Sequence, residues 1–195
     1  MNLTGQFLIA MPAMTDPYFS KTITFICTHN TDGAMGITLN RTADISMTEL
    51  LTQIKIDTAP AELTKKPVHF GGPVQIDRGF ILHEPGQEYD STITVNAHVA
   101  LTTSKDILTA SANSQGPQKL FVALGYAGWV AGQLEQEVSQ NAWLTLETNH
   151  ATDLDKLIFS TDNSQKFDYA MGLMGLNLAN LSHSAGHAWW LKICV

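Results

Sequence analysis

Leu124-Gly-Tyr-Ala-Gly-Trp-Val-Ala-Gly-Gln-Leu-Glu-Gln-Glu137 changes its hydrophobic period halfway along. The residues before it, Lys119 to Leu124, form a compact apolar run suited to a buried strand, whereas Leu134 and Val138 fall one helical turn apart on one face. The expected order is strand, glycine turn, helix. Gly125, Gly128 and Gly132 would let backbone pack closely around Tyr126 and Trp129. A helix start after a strand can also present free amides to an anion. The run has neither a Walker Lys-Ser/Thr nor the dinucleotide GxGxxG, and Glu135 and Glu137 would repel a phosphate with no lysine to offset them. A structural turn is the preferred reading, and small-anion binding is the alternative.

Upstream, strand-like segments at Gln6 to Ala10, Lys21 to Thr28 and Gly33 to Asn40 include an Asp32-Gly33 hairpin signal. Ser46-Met-Thr-Glu49 reads as a capping box, followed by the apolar stripe Met47, Leu50, Leu51 and Ile54. Further strands are expected at Val68 to Phe70, Gly79 to His83, Ser91 to Val95 and His98 to Thr102. A helix from Lys105 to Asn113 follows, led by Thr103-Ser-Lys-Asp106. Downstream, Trp143 to Glu147 is extended, Thr152 to Asp155 opens a short helix, and Gln165 to Met174 is a last helix with Phe167, Ala170, Met171 and Met174 inward. Strands come in runs with helices scattered among them, which favours an α+β fold over a doubly wound parallel sheet.

With 195 residues, 44% hydrophobic, one core is well supported. The formal net charge of -7 and the presence of only two arginines, Arg41 and Arg78, argue against direct DNA binding, which needs a basic face and arginine forks at guanine. No lysine or arginine precedes the short apolar run at the N-terminus, Pro12 interrupts it, and no stretch has the length of a membrane span. A soluble cytoplasmic protein with no membrane association is therefore expected. Cys27 and Cys194 form no CxxC pair, and a bridge between them is unforced.

Gly71-Gly72-Pro73 with Asp77-Arg78-Gly79 forms a second cluster. Arg78 can anchor an anion, but a bend with an internal Asp77–Arg78 pair is preferred. Seven histidines occur without HExxH, HxH or CxxC spacing, so no metal site and no cofactor are assigned. His183 and His187 lie four apart in a loop-like context, and Cys27 and His29, two apart on a strand, would share one face. No G-x-S-x-G elbow supports a serine hydrolase.

Together, FLIAMPAMTDPYFSKTITFICTHNTDGAMGITLNR, VHFGGPVQIDRGFILHE, LTTSKDIL, GYAGWVAGQLEQEVSQNAWL and the late GHA closely resemble the YqgE/AlgH family, from about residue 3 to residue 188. Thr42 stands where that family commonly has proline, and Trp189 to Val195 (WWLKICV) extends beyond its usual end. The resemblance implies one α+β domain over 1–188, with a mainly antiparallel, bifurcated sheet curled into a pseudo-barrel and flanked by helices. It implies no assigned activity; some members carry the label of transcriptional regulator. The expected function is a non-enzymatic regulatory or binding protein with a protein or small-molecule partner, and a homo-oligomer is compatible with the sequence. The alternative is an enzyme or small-anion-binding domain at 125–137, with Arg78, His83 or Glu135 as its polar groups. The expected binding surface comprises Asn40, Gly71, Gly72, Pro73, Asp77, Arg78 and His83, together with Gly125, Tyr126, Gly128, Trp129, Gln133 and Glu135. No catalytic residue is assigned.

Overall fold

The computed structural model describes residues 1–148 and 150–176. Alternate side chains of the first strand, β1 (Phe7–Ala10), enter different cores, Phe7 and Ile9 on one face and Leu8 and Ala10 on the other, which is why the run is apolar throughout. The hairpin β2 (Ile23–Asn30) and β3 (Gly33–Thr38) forms as expected, turning through Thr31-Asp32 and closing on the Asn30–Gly33 pair. Next come β4 (Val68–Phe70), β5 (Val74–His83), β6 (Thr92–Thr94), β7 (Ala100–Thr102), β8 (Leu120–Val130) and β9 (Trp143–Leu146). The strand order is β6-β7-β5-β8-β3-β2-β1-β9, with β4 added in parallel to β8. The sheet is curled and bifurcates at β8, whose first half pairs with β4 and β5 and whose second half pairs with β3.

The glycine run is therefore strand, not turn. β8 continues from Leu120 through Gly125 and Gly128 to Val130, because a second glycine pair makes room for it. A Cβ on Gly71 or Gly72 would strike the Gly125, Tyr126 and Ala127 backbone, and one on Gly125, at φ 71°, would strike the carbonyls of Gly72 and Val74. Backbone crosses backbone at a separation that only glycine permits.

The helices are α1 (Met47–Gln53), α2 (Ala61–Thr64), α3 (Asp106–Ala112), α4 (Gln133–Ser139), α5 (Ala151–Asp155) and α6 (Asn163–Leu173), with a π-helical turn at Lys156–Ser160. The capping box opens α1: Ser46 Oγ accepts from Glu49 N–H (3.2 Å), and Glu49 Oε2 accepts from Ser46 N–H (2.8 Å). Glu49's carboxyl lies below its ordinary range because it accepts from Ser46 N–H and from the Ser46 hydroxyl. No such box opens α3. Asp106 accepts from Asp90 N–H and Ile107 N–H, and from Ser104 Oγ–H, so its carboxylate ties the preceding loop instead.

Three cores result. The largest packs Phe7, Phe25, Phe121, Leu157 and Phe167 between sheet and C-terminal helices. A second packs α1, α2 and α3 on Ile81 and Val122, and a third seats Leu134 of α4 on Ile26, Trp129 and Trp143. Cys27 and His29 do not share a face. A bulge between Ile26 and Thr28 shifts the register, so Cys27 faces the largest core while the His29 ring meets Leu3 and Glu135. Burial pushes the Cys27 thiol above its ordinary range.

Lys166 of α6 is buried in the largest core with no carboxylate partner among the described residues. Its ammonium donates to Leu39 O (3.2 Å) and Ile158 O (2.9 Å) and lies over the Phe121 ring at 4.7 Å. Ile158 belongs to the π-helical turn, so the lysine satisfies a carbonyl there and ties α6 to the end of β3. Desolvation brings its pKa down to about 7.

Candidate functional site

Between Val74, opposite Tyr126, and Gly79, opposite Leu124, five steps along β5 face only two along β8. The surplus is pushed out of the sheet as a bulge, Gln75-Ile-Asp-Arg78, with Gln75 at φ 50°. Arg78 braces it: Nη2–H donates to Thr103 Oγ1 (3.0 Å), Nη1–H donates to Gln75 Oε1 (3.5 Å), and the guanidinium lies 5.8 Å from the Phe80 ring centre. Asp77 is not its partner. Among the described residues the lysine- or arginine-to-carboxylate ion pair is Lys119–Asp155, on another part of the surface. Ile76, 59% exposed, tops the bulge.

Beside the bulge runs a groove of about 470 Å³, lined by Tyr18, Arg41, Asp44, Ile45, Phe70 and Ile76 among others. Asp16 shapes its rim by accepting from Tyr18 N–H and Phe19 N–H. Tyr18, 51% exposed, then stacks on Phe70 at 5.9 Å and 22°. Arg41 holds the corner: its carbonyl accepts from Phe70 N–H, and its Nη2–H donates to Ser20 O (2.8 Å). Asn40, from the expected surface, bridges β2 and the Lys21 loop, accepting from Ile23 N–H and donating to Lys21 O.

Across the bulge, Tyr126, Gly128 and Trp129 line a shallower groove with Val74 and Val130. The polar groups that follow are engaged with one another. Glu137 Oε2 accepts both indole N–H groups, from Trp129 (2.9 Å) and Trp143 (2.8 Å). Gln133 accepts from Val130 N–H and donates to Glu137 Oε1. His29 Nδ1 accepts Leu3 N–H, so Nε2 carries the proton and donates to Glu135 Oε1 (3.0 Å). The acids that discouraged a phosphate loop are the clamps that fasten α4 to the sheet. With 125–130 in the strand and Val130 N–H engaged, the glycine turn on which the alternative anion cradle depended is not formed there.

His83 lies at the other end of β8, opposite Leu120 and about 30 Å from Val130 at ~3.3 Å per residue. It is buried. Its Nδ1–H donates to Glu84 O (2.8 Å), leaving Nε2 to accept from Thr102 Oγ1–H (2.8 Å), which in turn accepts from Thr92 Oγ1–H (2.8 Å). Desolvation lowers its pKa, partly opposed by the Glu84 carbonyl. Gly71 to Arg78 and Gly125 to Trp129 thus meet at the backbone crossing and around the bulge. Gln133 and Glu135 are turned to the α4 clamp, and His83 to the buried threonine chain.

Tyr18, Phe70, Arg41 and Ile76 escaped the sequence reading as a group, although an aromatic after Asp16-Pro17 and an arginine after Asn40 were visible signals. Among the described residues, no three His, Cys, Asp or Glu side chains are grouped to hold a metal, and no helix is long and apolar enough to cross a membrane.

An α+β domain with a sheet bifurcated at one shared strand, and with glycine-on-glycine crossing beneath an extruded bulge, defines the class. The chain belongs to the AlgH-like family, whose model matches residues 7–179. It is 48% identical over 188 residues to a UPF0301 protein of Nitrosospira multiformis, covering 96% of this chain and 98% of that one. A UPF0301 protein of Burkholderia thailandensis is 46% identical over 190 residues, 96% of each chain. The solution structure of the AlgH protein of Pseudomonas aeruginosa matches with a TM-score of 0.78 at 43% identity, over 96% of this chain and 97% of that one. A Corynebacterium diphtheriae protein shares the fold, with a TM-score of 0.67 at 16% identity over 93% and 91% of the two chains.

Proposed function

We propose that this is a cytoplasmic, non-enzymatic binding protein with a regulatory role, and that its binding surface is the bulge at 75–78 with the grooves beside it. One observation carries the reading: Ile76 and Tyr18, both more than half exposed, flank an apolar groove rimmed by Arg41 and Asp44. Exposed apolar side chains gathered at a concavity with a polar rim are the mark of a recognition surface. The expected residues other than His83 enter in four ways. Asp77 and Arg78 belong to the bulge, and Gly71, Gly72, Pro73 and Gly125 hold it at the sheet. Tyr126, Gly128 and Trp129 line its far side, while Asn40, Gln133 and Glu135 brace the surroundings. Regulation is assigned to capture of a partner or small molecule rather than to DNA, since the chain carries a net charge of -7 and two arginines.

A photo-crosslinking residue at Ile76, compared in living cells with one at exposed Ser139 on α4, tests the surface. A defined adduct from position 76 that is absent from 139 and lost with Tyr18→Ala is expected. Equal labelling from both positions would remove the assignment.

A further inference from the structure

Behind Arg41, beyond its hydrogen bond to Ser20, lies a second cavity of about 560 Å³, lined by Lys21, Asn40, Asn163, Ser164 and Asp168 among others. Arg41 lines both cavities. We propose that the two form one bipartite site for a small amphipathic anion, its apolar or aromatic body against Tyr18 and Phe70 and its carboxylate or phosphate against Arg41 and Lys21. This rests on the groove reading above and adds the chemical class of the ligand.

Charge makes the first part of the case. In a chain carrying -7 overall, one of its two arginines and a lysine face the same concavity, opposed in its lining by Asp168 alone. Neither cation is in an ion pair among the described residues. Among the described residues Arg41 makes one side-chain hydrogen bond there, from Nη2 to Ser20 O, and the rest of its planar five-donor fork can serve a ligand. Construction makes the second part. Asn40 donates to the Lys21 carbonyl and holds that residue at φ 56°, while Asn163 and Ser164 supply neutral polar groups on the opposite wall. Each volume lies within the range of small-molecule sites, and the apolar side is already stacked and rimmed. An arginine between a polar chamber and an aromatic one can contact both ends of one ligand, through its donors and its flat face.

Two fluorescent probes separate the chambers: 1-anilinonaphthalene-8-sulfonate, aromatic and anionic, and its uncharged analogue N-phenyl-1-naphthylamine. Arg41→Gln and Lys21→Asn should each weaken the anionic probe about tenfold, about 1.4 kcal/mol, and leave the neutral probe within about twofold. Tyr18→Ala should weaken both. Inorganic phosphate should displace the anionic probe from the wild type and shift the backbone amide NMR signals of Lys21, Arg41, Asn163 and Ser164. Lys21 meets its neighbours here through backbone, so its variant keeps the test open if loss of the Arg41–Ser20 bond unfolds the other. Unchanged anionic-probe affinity in a folded Lys21→Asn or Arg41→Gln variant overturns the anion chamber. The groove reading then survives if Tyr18→Ala still releases the neutral probe, and falls with it if Tyr18→Ala keeps both probes.

Discussion

Glu137→Ala tests whether the acidic end of the signature is a fastening. One carboxylate oxygen receives two indole N–H groups from tryptophans that are 7% and 3% exposed, so truncation strands two donors where water has little access. A hydrogen bond to a charged group contributes about 1.5–3 kcal/mol, and leaving its buried partner unmade costs a similar amount. Two such bonds, discounted for the half-buried glutamate, give a loss of about 3 kcal/mol. For a domain of this size that lowers Tm by about 6–12 °C. Glu137→Gln keeps an acceptor and loses the charge, for about 1 kcal/mol and about 2–4 °C. Thermal and urea unfolding followed by far-UV circular dichroism measure both. The attribution is specific to the indoles, so in a Trp129→Phe/Trp143→Phe background the alanine substitution should cost less than about 1 kcal/mol. A full-sized loss in that background, or a loss below about 0.5 kcal/mol in the wild type, would refute the clamp.

Gly125→Ala should destabilise the fold by about 3 kcal/mol or more, because it combines a positive φ with collision against two carbonyls, whereas Gly132→Ala meets no atoms and should lose only the conformational part, about 1 kcal/mol; equal losses in urea titrations would contradict the crossing. Lys166 titrates near pH 7 in the folded state against 10.5 for the ordinary group. The unfolded chain binds the extra proton between those values, so this residue makes stability rise with pH from about 7 to about 10 and is without slope below 7. Lys166→Met should flatten that rise in urea midpoints measured across the window. His69, brought down to about 4 first by desolvation, adds stability that is present above about pH 6.5 and lost on acidification through about 4; His69→Gln should reduce the acid sensitivity of the midpoint. In a Cys194→Ser background, Cys27 should ignore a thiol reagent under native conditions and react fully in denaturant.

Most of what could be read locally was read correctly, the Asp77–Arg78 pair excepted, since Arg78 reaches Thr103 instead. Ser46 and Glu49 sit three apart and cap the same turn, and Asp32-Gly33 closes a hairpin whose strands follow directly. What failed depended on distant partners. Glycine weakens an isolated strand, so Gly125 and Gly128 read as a turn; Gly71 and Gly72, more than fifty residues earlier, supply the backbone against which Gly125 is required. The bulge after Ile26 reverses His29 without any signal in its neighbours, and Thr103 to Asp106 has the letters of a capping box but sends its carboxylate to Asp90. Lys166 falls on the buried stripe of α6, where a lysine is assigned to solvent unless the carbonyls that receive it are known. Of the candidate surface, the glycines and Arg78 were legible as motif. The groove was not, because Tyr18, Arg41, Phe70 and Ile76 come from separate segments and meet only after folding.

The shared strand also sets an order of events during synthesis. Until residue 120 has left the ribosome, β1, β2 and β3 can pair only among themselves, β5, β6 and β7 likewise, and β4 has only its short bridge to the Arg41–Ala43 segment. Both groups present an open edge to the place where β8 will insert. A nascent chain or a truncation ending near Lys119 therefore carries both of these open edges, besides the β1 edge that awaits β9, and an unfilled core, the combination that invites pairing with other chains. Arrival of eleven residues closes both at once.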